Sequence, residues 1–419
     1  MDFRSRRKFY FIVAVLIQIL AGFLYAWSVV KTPLAEKFGW SSAAITLGYT
    51  FNLLGTALLT LFGSDLKKKL GLRKCILLGG IFIGAGLVGC GFVRQSVWEV
   101  YFWYGLIYGI GVGLTYPTLT VYCVHLYPDR SGMASGLSTG AFALGAFIWG
   151  PAATSIYEEM GDISYAFIYM GLAMLLGISV LSFFIREVPE DFSASAEQKV
   201  SAESLEPAFQ NDINRRQMLA SSQFYALFIT MSLGMAAGSM VVSYGSTILE
   251  STFHMALQNA ALLVGAFSLA SVGGRIGFGA VSDKLGKPQT TIIMSIVMGA
   301  ALLLLQFVGN IGFYVAMLIV CVVCYGGFAS MVSPITKFTF GEKYFAENYS
   351  IIYFTYAVSG LIGPPIISLM KDMTGELSGA YKVGCLFCII SLVCAIFLMK
   401  RAAGAIQSVQ SQAEGTPQS

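Results

Sequence analysis

The chain has 419 residues, of which 56% are hydrophobic and 11% charged, with a mean hydropathy of +0.72. Soluble domains carry nearer a quarter charged residues, so a soluble globular class is excluded. The net charge of +4 points to no nucleic-acid partner, because the basic residues are spread over short segments between long apolar runs. Those runs, each about twenty residues long, match a ~30 Å hydrocarbon core and define an all-α integral membrane protein.

Twelve spans are predicted, at 9–30, 43–63, 75–93, 97–124, 132–157 and 164–185, then at 222–248, 257–281, 289–308, 312–340, 347–370 and 380–399. Arg4, Arg6, Arg7 and Lys8 precede the first run as in a secretory signal, but the run is too long and lacks a small-residue cleavage site. A retained first span is expected. With the amino terminus in the cytoplasm, 20 of the 26 Lys and Arg residues fall on inner segments and five on outer ones. That asymmetry sets the orientation and implies a multi-pass protein of the cell (inner) membrane with both termini cytoplasmic.

Cys75, Cys90, Cys123, Cys321, Cys324, Cys385, Cys388 and Cys394 lie within or at the ends of spans and read as packing residues rather than disulfides. Cys321 with Cys324 and Cys385 with Cys388 form C-x-x-C pairs, yet neither has a nearby histidine or further cysteine to complete a four-ligand set. No metal and no cofactor is expected.

Between the sixth and seventh spans, EVPEDFSASAEQKVSAESLEPAFQNDINRR is polar and without hydrophobic periodicity, a cytoplasmic linker. The predicted organisation is a six-helix bundle over 1–186, the linker over 187–221, a second six-helix bundle over 222–401 and a tail over 402–419. Lys69-Leu70-Gly71 after the second span recurs as Lys284-Leu285-Gly286 after the eighth, 215 positions later. GAFIWGP followed by Met160-Gly161 is echoed by VSGLIGPP followed by Met373 and Gly375. Two similar halves in one orientation suit a pseudo-twofold axis along the membrane normal, with a substrate site expected between them near the midplane. Gly109, Gly111 and Gly113, and Gly132, Gly136 and Gly140, lie on faces where helix backbones can approach closely.

Arg275 alone is charged within a span interior. It lies eight residues before Asp283, roughly 12 Å along a helix, where a cation costs at least ~2.5 kcal/mol unless it meets a polar cavity or a partner. Snorkelling or an interhelical salt bridge is the structural alternative. The span-end acids are Glu99 and Glu250 outside and Asp283 inside, so the counter-ion is expected to be a travelling anion. Ser271 stands one turn before Arg275, and Phe278 and Gly279 one turn after. Tyr25, Tyr116, Tyr325, Tyr353 and Tyr356 lie in apolar spans. A phenol donates a neutral hydrogen bond to a carboxylate while its ring packs a short alkyl chain, although packing and interface anchoring are other uses of the same residue.

GAVSDKLGK, from Gly279 to Lys287, resembles the major facilitator superfamily signature G-x-x-x-D-[RK]-x-G-[RK]. The resemblance implies a conformational latch of Gly279, Asp283, Lys284 and Gly286, in which an acid and bases near helix ends pair with a helix terminus or a neighbouring helix. The first-half counterpart, SDLKKKLGLRK from Ser64 to Lys74, is degenerate: Lys68 replaces the acid and Ser64 the glycine, with Asp65 a possible substitute. GIGVGLTYPTLTVYCVHLYPDRSGMASGLSTGAFALGA, together with AGFLYAWS and ENYSIIYFTYA, resembles the oxalate/formate antiporter family and the related monocarboxylate transporters. This implies twelve transmembrane helices in two pseudo-symmetric six-helix bundles, the major facilitator fold.

The same resemblance marks Tyr25 in a Y-x-W tract, Tyr116 after the glycine-rich start of the fourth span and Tyr325 in the tenth as substrate-binding, with Ser271 beside Arg275. Where the family pattern N-Y-G-x-x-Y-x-x-K ends in a cation, NYSIIYFTY places Tyr356. One embedded cation suits a monoanion such as lactate, pyruvate or formate better than a dianion. In the animal monocarboxylate transporters an aspartate stands one turn before the arginine; here that place is Ser271. His125 and His254 lie near span boundaries, and a proton can instead travel on the bound carboxylate.

Entry of a monoanion against an inside-negative potential is opposed by ~2.3 kcal/mol per 100 mV, so a proton or a counter-anion is an expected partner, alongside lipid. The expected function is secondary active, proton-coupled symport of a small monocarboxylate by a monomer. Exchange of organic anions of the oxalate/formate type, or carriage of a neutral solute such as a sugar, are the alternatives. An enzyme would need paired acids, a metal set or an activated nucleophile in the spans, and none is present in the sequence; a receptor would bring a signalling domain.

Overall fold

The computed structural model describes residues 3–189, 212–253, 257–307, 310–374 and 377–414, and every regular element among them is helical. A helix satisfies its own backbone in lipid, where no water can. Ten of these helices are long and apolar enough to cross a membrane. The two further predicted spans correspond to helices Ser42–Leu70, whose apolar stretch Leu47–Gly63 is shorter, and Leu257–Leu285. The chain divides into two compact units, one of Met1–Tyr127 with Leu137–Ser193, the other of Pro128–Gly136 with Ala194–Ser419.

In the first unit, α1 (Phe3–Ala21) runs through a 3-10 stretch, Gly22–Ala26, into α2 (Trp27–Phe38). The interruption strands carbonyls in the last turn of α1, and side chains satisfy them. Trp149 Nε1 donates to Ile19 O at 3.3 Å and Leu20 O at 3.1 Å, and the Tyr108 hydroxyl donates to Ala21 O at 2.8 Å. Next come α3 (Ser42–Leu70) and α4 (Leu72–Gly91), then α5 (Val97–Val100), a π-helical stretch Tyr101–Tyr108 and α6 (Gly109–Leu126). Asn52 Nδ2 donates to Tyr104 O at 2.9 Å inside the π-helical stretch. The Trp27 ring stacks on Tyr104 at 3.7 Å. Most of α7 (Ser131–Met160) and all of α8 (Ile163–Ser182) complete the unit.

The second unit holds the short α9 (Arg215–Ala220), α10 (Ser222–Phe253), α11 (Leu257–Leu285), α12 (Lys287–Leu304), α13 (Ile311–Phe340), α14 (Phe345–Ile352), α15 (Phe354–Thr374) and α16 (Ser378–Glu414). Asn214 and Gln217 cap α9 reciprocally through each other's backbone N–H. The eleventh predicted span is thus two helices, α14 and α15, with a turn at Tyr353 between them. The repeated Lys-Leu-Gly tract has the same structural job in both units: Gly71 (φ 81°) ends α3 and Gly286 (φ 98°) ends α11, a backbone region that residues with a Cβ rarely adopt.

All eight cysteines are free thiols. Prolines free carbonyls inside spans, since a proline at position i cannot donate to i−4, and two of the freed carbonyls have hydroxyl groups close by. Pro117 frees Gly113 O, with Thr60 Oγ1 3.5 Å away, and Pro334 frees Ser330 O, which accepts from Ser135 Oγ at 2.7 Å.

Between α7 and α8, the Asp162 carboxylate accepts from Lys37 Nζ at 2.6 Å and from the Ser164 N–H at 2.8 Å. Burial raises its pKa, but the hydrogen bonds from Lys37 and Ser164 outweigh burial and hold it below the ordinary value. A depressed folded-state pKa stabilises the fold above the unfolded value and loses that stabilisation as pH falls through the folded one. Asp162→Asn is therefore expected to lower stability at neutral pH by the small amount typical of exposed pairs, about 0.2–1 kcal/mol, read as a slightly lower melting temperature. The gap between wild type and variant should close on acidification below the carboxylate range; a gap independent of pH would refute the ion-pair origin.

Candidate functional site

Arg275 sits on α11 and is 1% exposed, among the largest fully buried side chains of the described residues. The face beside it is made of small groups that let α11 press against α13. A Cβ on Gly274 would lie 2.0 Å from Val323 O, and one on Gly326 would lie 2.2 Å from Ser271 O. Ser271 is buried, and its Oγ has no hydrogen-bond partner among the described residues. The position 215 residues before Arg275 is Thr60, whose hydroxyl donates to Thr56 O at 2.7 Å within its own helix. The buried cation therefore has no charged counterpart at the corresponding place in the first unit.

Of the other predicted contacts, Tyr325 and Tyr356 belong to the same unit as Arg275 and Ser271. Tyr325 packs its Cβ against Gly238 of α10, within 2.5 Å of where a Cβ there would stand. The Tyr356 hydroxyl donates to Ala329 O, tethering α15 to α13, and its ring stacks on Tyr353 at 4.7 Å. Tyr116 belongs to the first unit; its ring meets Phe142 edge-on at 4.6 Å. The backbone of Tyr25 lies in the 3-10 stretch of the first unit, and its side chain lies outside the described residues, as does His254. His125 is half-buried in the last turn of α6. Lys337, near the C-terminal end of α13, forms an ion pair with Glu342.

The residues predicted to form a latch occupy distinct places. Asp283 spreads its carboxylate over the first N–H groups of α7: Oδ1 accepts from Gly132 N and Oδ2 from Met133 N, each at 2.8 Å. An acid is favoured there because the unsatisfied N–H groups of a helix start carry partial positive charge. Lys287, one turn on, lies 3.6 Å from Asp283 Oδ1, whereas Lys284 is exposed. Gly279 permits the approach: a Cβ on it would lie 2.4 Å from Gly132 O. Gly286 ends the helix that carries the acid. Ser135 adds the neutral hydrogen bond to Ser330 O described above, and a Cβ on Gly136 would lie 2.3 Å from Arg275 O. In the first unit, the degenerate tract leaves the start of α4 to another acid, since Leu72 N donates to Glu187 Oε1 at 2.9 Å.

Glu187, Ser135 and Gln18 were not singled out from sequence. Glu187 lies in a charged stretch after a span, where any of several acids could serve. Ser135 is one small residue among many. Gln18 was visible as a lone amide in an apolar run.

Comparison with known proteins extends over nearly the whole chain. The family model described as Major Facilitator Superfamily matches residues 9–364 and 227–417. The oxalate:formate antiporter of Oxalobacter formigenes is 27% identical over 404 residues, covering 95% of this chain and 92% of the antiporter. Monocarboxylate transporter 12-B of Danio rerio is 23% identical over 351 residues, covering 78% of this chain and 72% of that protein. Among solved structures, the proton:xylose symporter XylE superposes with a TM-score of 0.74 at 15% identity, covering 94% of this chain and 96% of that one. The E. coli fucose:proton symporter FucP gives 0.69 at 13% identity, covering 93% and 98%. At such identities the two sugar symporters speak for the fold alone.

Proposed function

Because the chain belongs to the major facilitator superfamily and is a transporter related to the oxalate:formate antiporter and the monocarboxylate transporters, we propose that it carries a small monocarboxylate of the lactate, pyruvate or formate type by alternating access. The observation that supports this most directly is Arg275, a guanidinium 1% exposed on a helix predicted to span the membrane. Guanidinium presents a planar fork of N–H groups matched to a carboxylate, and a cation at such depth is a functional signal by default. Ser271, Tyr325, Tyr356, Tyr116 and Tyr25 are the proposed neutral contacts.

Arg275 balances the charge of one carboxylate. Proton-coupled symport is favoured over anion exchange, with the proton travelling on the carboxylate because Ser271 offers no titratable group beside the arginine. The protein acts as a monomer in the cell (inner) membrane, with both termini in the cytoplasm. Uptake of labelled lactate, pyruvate, formate and oxalate into proteoliposomes tests the assignment, with imposed pH gradients or internal anions separating symport from exchange. Monocarboxylate uptake driven by an inward proton gradient is the expected result. Uptake of sugars and no carboxylates would overturn it.

Alternating access needs a contact that can be made and broken, and the proposed one is Asp283 at the start of α7. Asp283→Asn keeps the shape but removes the charge and replaces one of the two acceptors of the Gly132 and Met133 N–H groups by an N–H donor, so one bond is lost and the other falls from about 1.5–3 kcal/mol when charge-assisted to about 1 when neutral. The variant is expected to favour the undocked state. Accessibility of a cysteine placed at Met133 to a water-soluble maleimide should rise severalfold; unchanged labelling would deny Asp283 the role.

A further inference from the structure

Gln18 lies in the last turn of α1 and is 0% exposed. Its Nε2 donates to Tyr116 O at 3.1 Å and to Ser138 Oγ at 3.0 Å, with Thr120 Oγ1 at 3.4 Å. A carbonyl can only accept, so the amide must turn its nitrogen toward Tyr116 O and its oxygen away. That oxygen has no hydrogen-bond partner among the described residues.

The neighbouring acceptors are treated differently. Ile19 O, Leu20 O and Ala21 O, freed by the 3-10 stretch, each receive a donor from Trp149 or Tyr108. In this turn the backbone is supplied with donors and one side-chain oxygen is left over. Leucine or methionine would fill the same place with no orphaned acceptor. The carbonyl end of a helix also carries partial negative charge, which favours a hydrogen-bond donor at Oε1 and disfavours a bare anion.

We propose that Gln18 Oε1 is a specificity element that accepts a hydroxyl proton of the transported solute. The donor is either the acid O–H of a protonated monocarboxylate or the 2-hydroxyl of a hydroxy acid. The proposal rests on the monocarboxylate-carrier reading, and it adds a hydroxyl donor to what the carrier recognises. The Tyr116 carbonyl and the Ser138 hydroxyl hold the amide in place, so Gln18 is presented in one orientation. Interrupted spans are where membrane carriers expose polar groups to their cargo, and Gln18 lies one helical turn before the 3-10 stretch Gly22–Ala26.

The test compares L-lactate with propionate, which differs by the 2-hydroxyl, in proteoliposomes of the full chain carrying Gln18, Gln18→Leu or Gln18→Met, from acidic to neutral pH. If the 2-hydroxyl is read, the variants raise KM for lactate about tenfold, as losing ~1.4 kcal/mol does, and leave propionate unchanged. If the acid O–H is read, KM rises for both and its preference for acidic pH flattens. Either result supports the assignment. Wild-type KM values for both substrates at every pH would overturn it, as would an equal loss on both with pH dependence intact, since that marks a packing role. A lowered melting temperature in the Met variant with an unchanged ratio of KM values would overturn it for the same reason. Failure of the wild-type chain to move either acid is a separate outcome, and it would remove the carrier reading itself.

Discussion

Arg275→Gln is expected to reduce uptake of small monocarboxylates by at least about thirtyfold, the consequence of removing one partner of a buried charge pair at ~2 kcal/mol or more. Arg275→Lys keeps the charge and loses the planar fork, so an intermediate rate with a raised KM is expected. The same substitutions separate binding from folding. Replacing a buried ion by a neutral side chain of similar size leaves stability near or above wild type when the ion's desolvation exceeds its local gains. Initial rates of labelled lactate uptake and melting temperatures in detergent, measured on one preparation, check both halves. Wild-type uptake by the Gln variant would remove the anion site from α11.

The second large effect is expected at Gly136. A Cβ there would meet Arg275 O at 2.3 Å and the Arg275 carbonyl carbon at 3.0 Å. Both are backbone atoms and cannot swing aside, and forced overpacking costs about 1–3 kcal/mol. Gly136→Ala should therefore hold the start of α7 off α11 and reduce transport about tenfold or more. Gly277, two residues beyond Arg275, is the internal control: it is exposed, and nothing lies within 4 Å of where its Cβ would be. Gly277→Ala is expected to transport as wild type and to gain up to about 1 kcal/mol from better helix propensity. Equal rates for the two alanine variants would show that the close approach does not matter to the cycle.

How much of this was legible in the sequence depends on the physics behind each feature. Span number and the all-α membrane class followed from apolar run length, a one-dimensional property, whereas the major facilitator fold followed from the motif resemblance. The arginine was legible because a charge in hydrocarbon is conspicuous, and the Lys-Leu-Gly repeat because both copies need a glycine with positive φ. The turn at Tyr353 had no sequence flag, since the run from Phe345 to Thr374 is apolar across it. Asp283 was marked as a latch, but its partners, Gly132 N and Met133 N, are backbone groups 150 residues and more away in the chain, and backbone donors leave no trace in a sequence. The same holds for Trp149 and Tyr108 serving the carbonyls of α1, and for Glu187 standing at α4 where Asp65 was the nearer candidate.

The pairing of Arg275 in one half with Thr60 at the corresponding place in the other has an electrical consequence. Where the proton rides on the carboxylate, cargo and proton together are neutral, so Arg275 leaves the loaded and the vacant carrier with the same charge. The inside-negative membrane potential, worth ~2.3 kcal/mol per charge for each 100 mV, then acts alike on both reorientations and cancels round the cycle. Net uptake should therefore carry no current and follow the pH and substrate gradients.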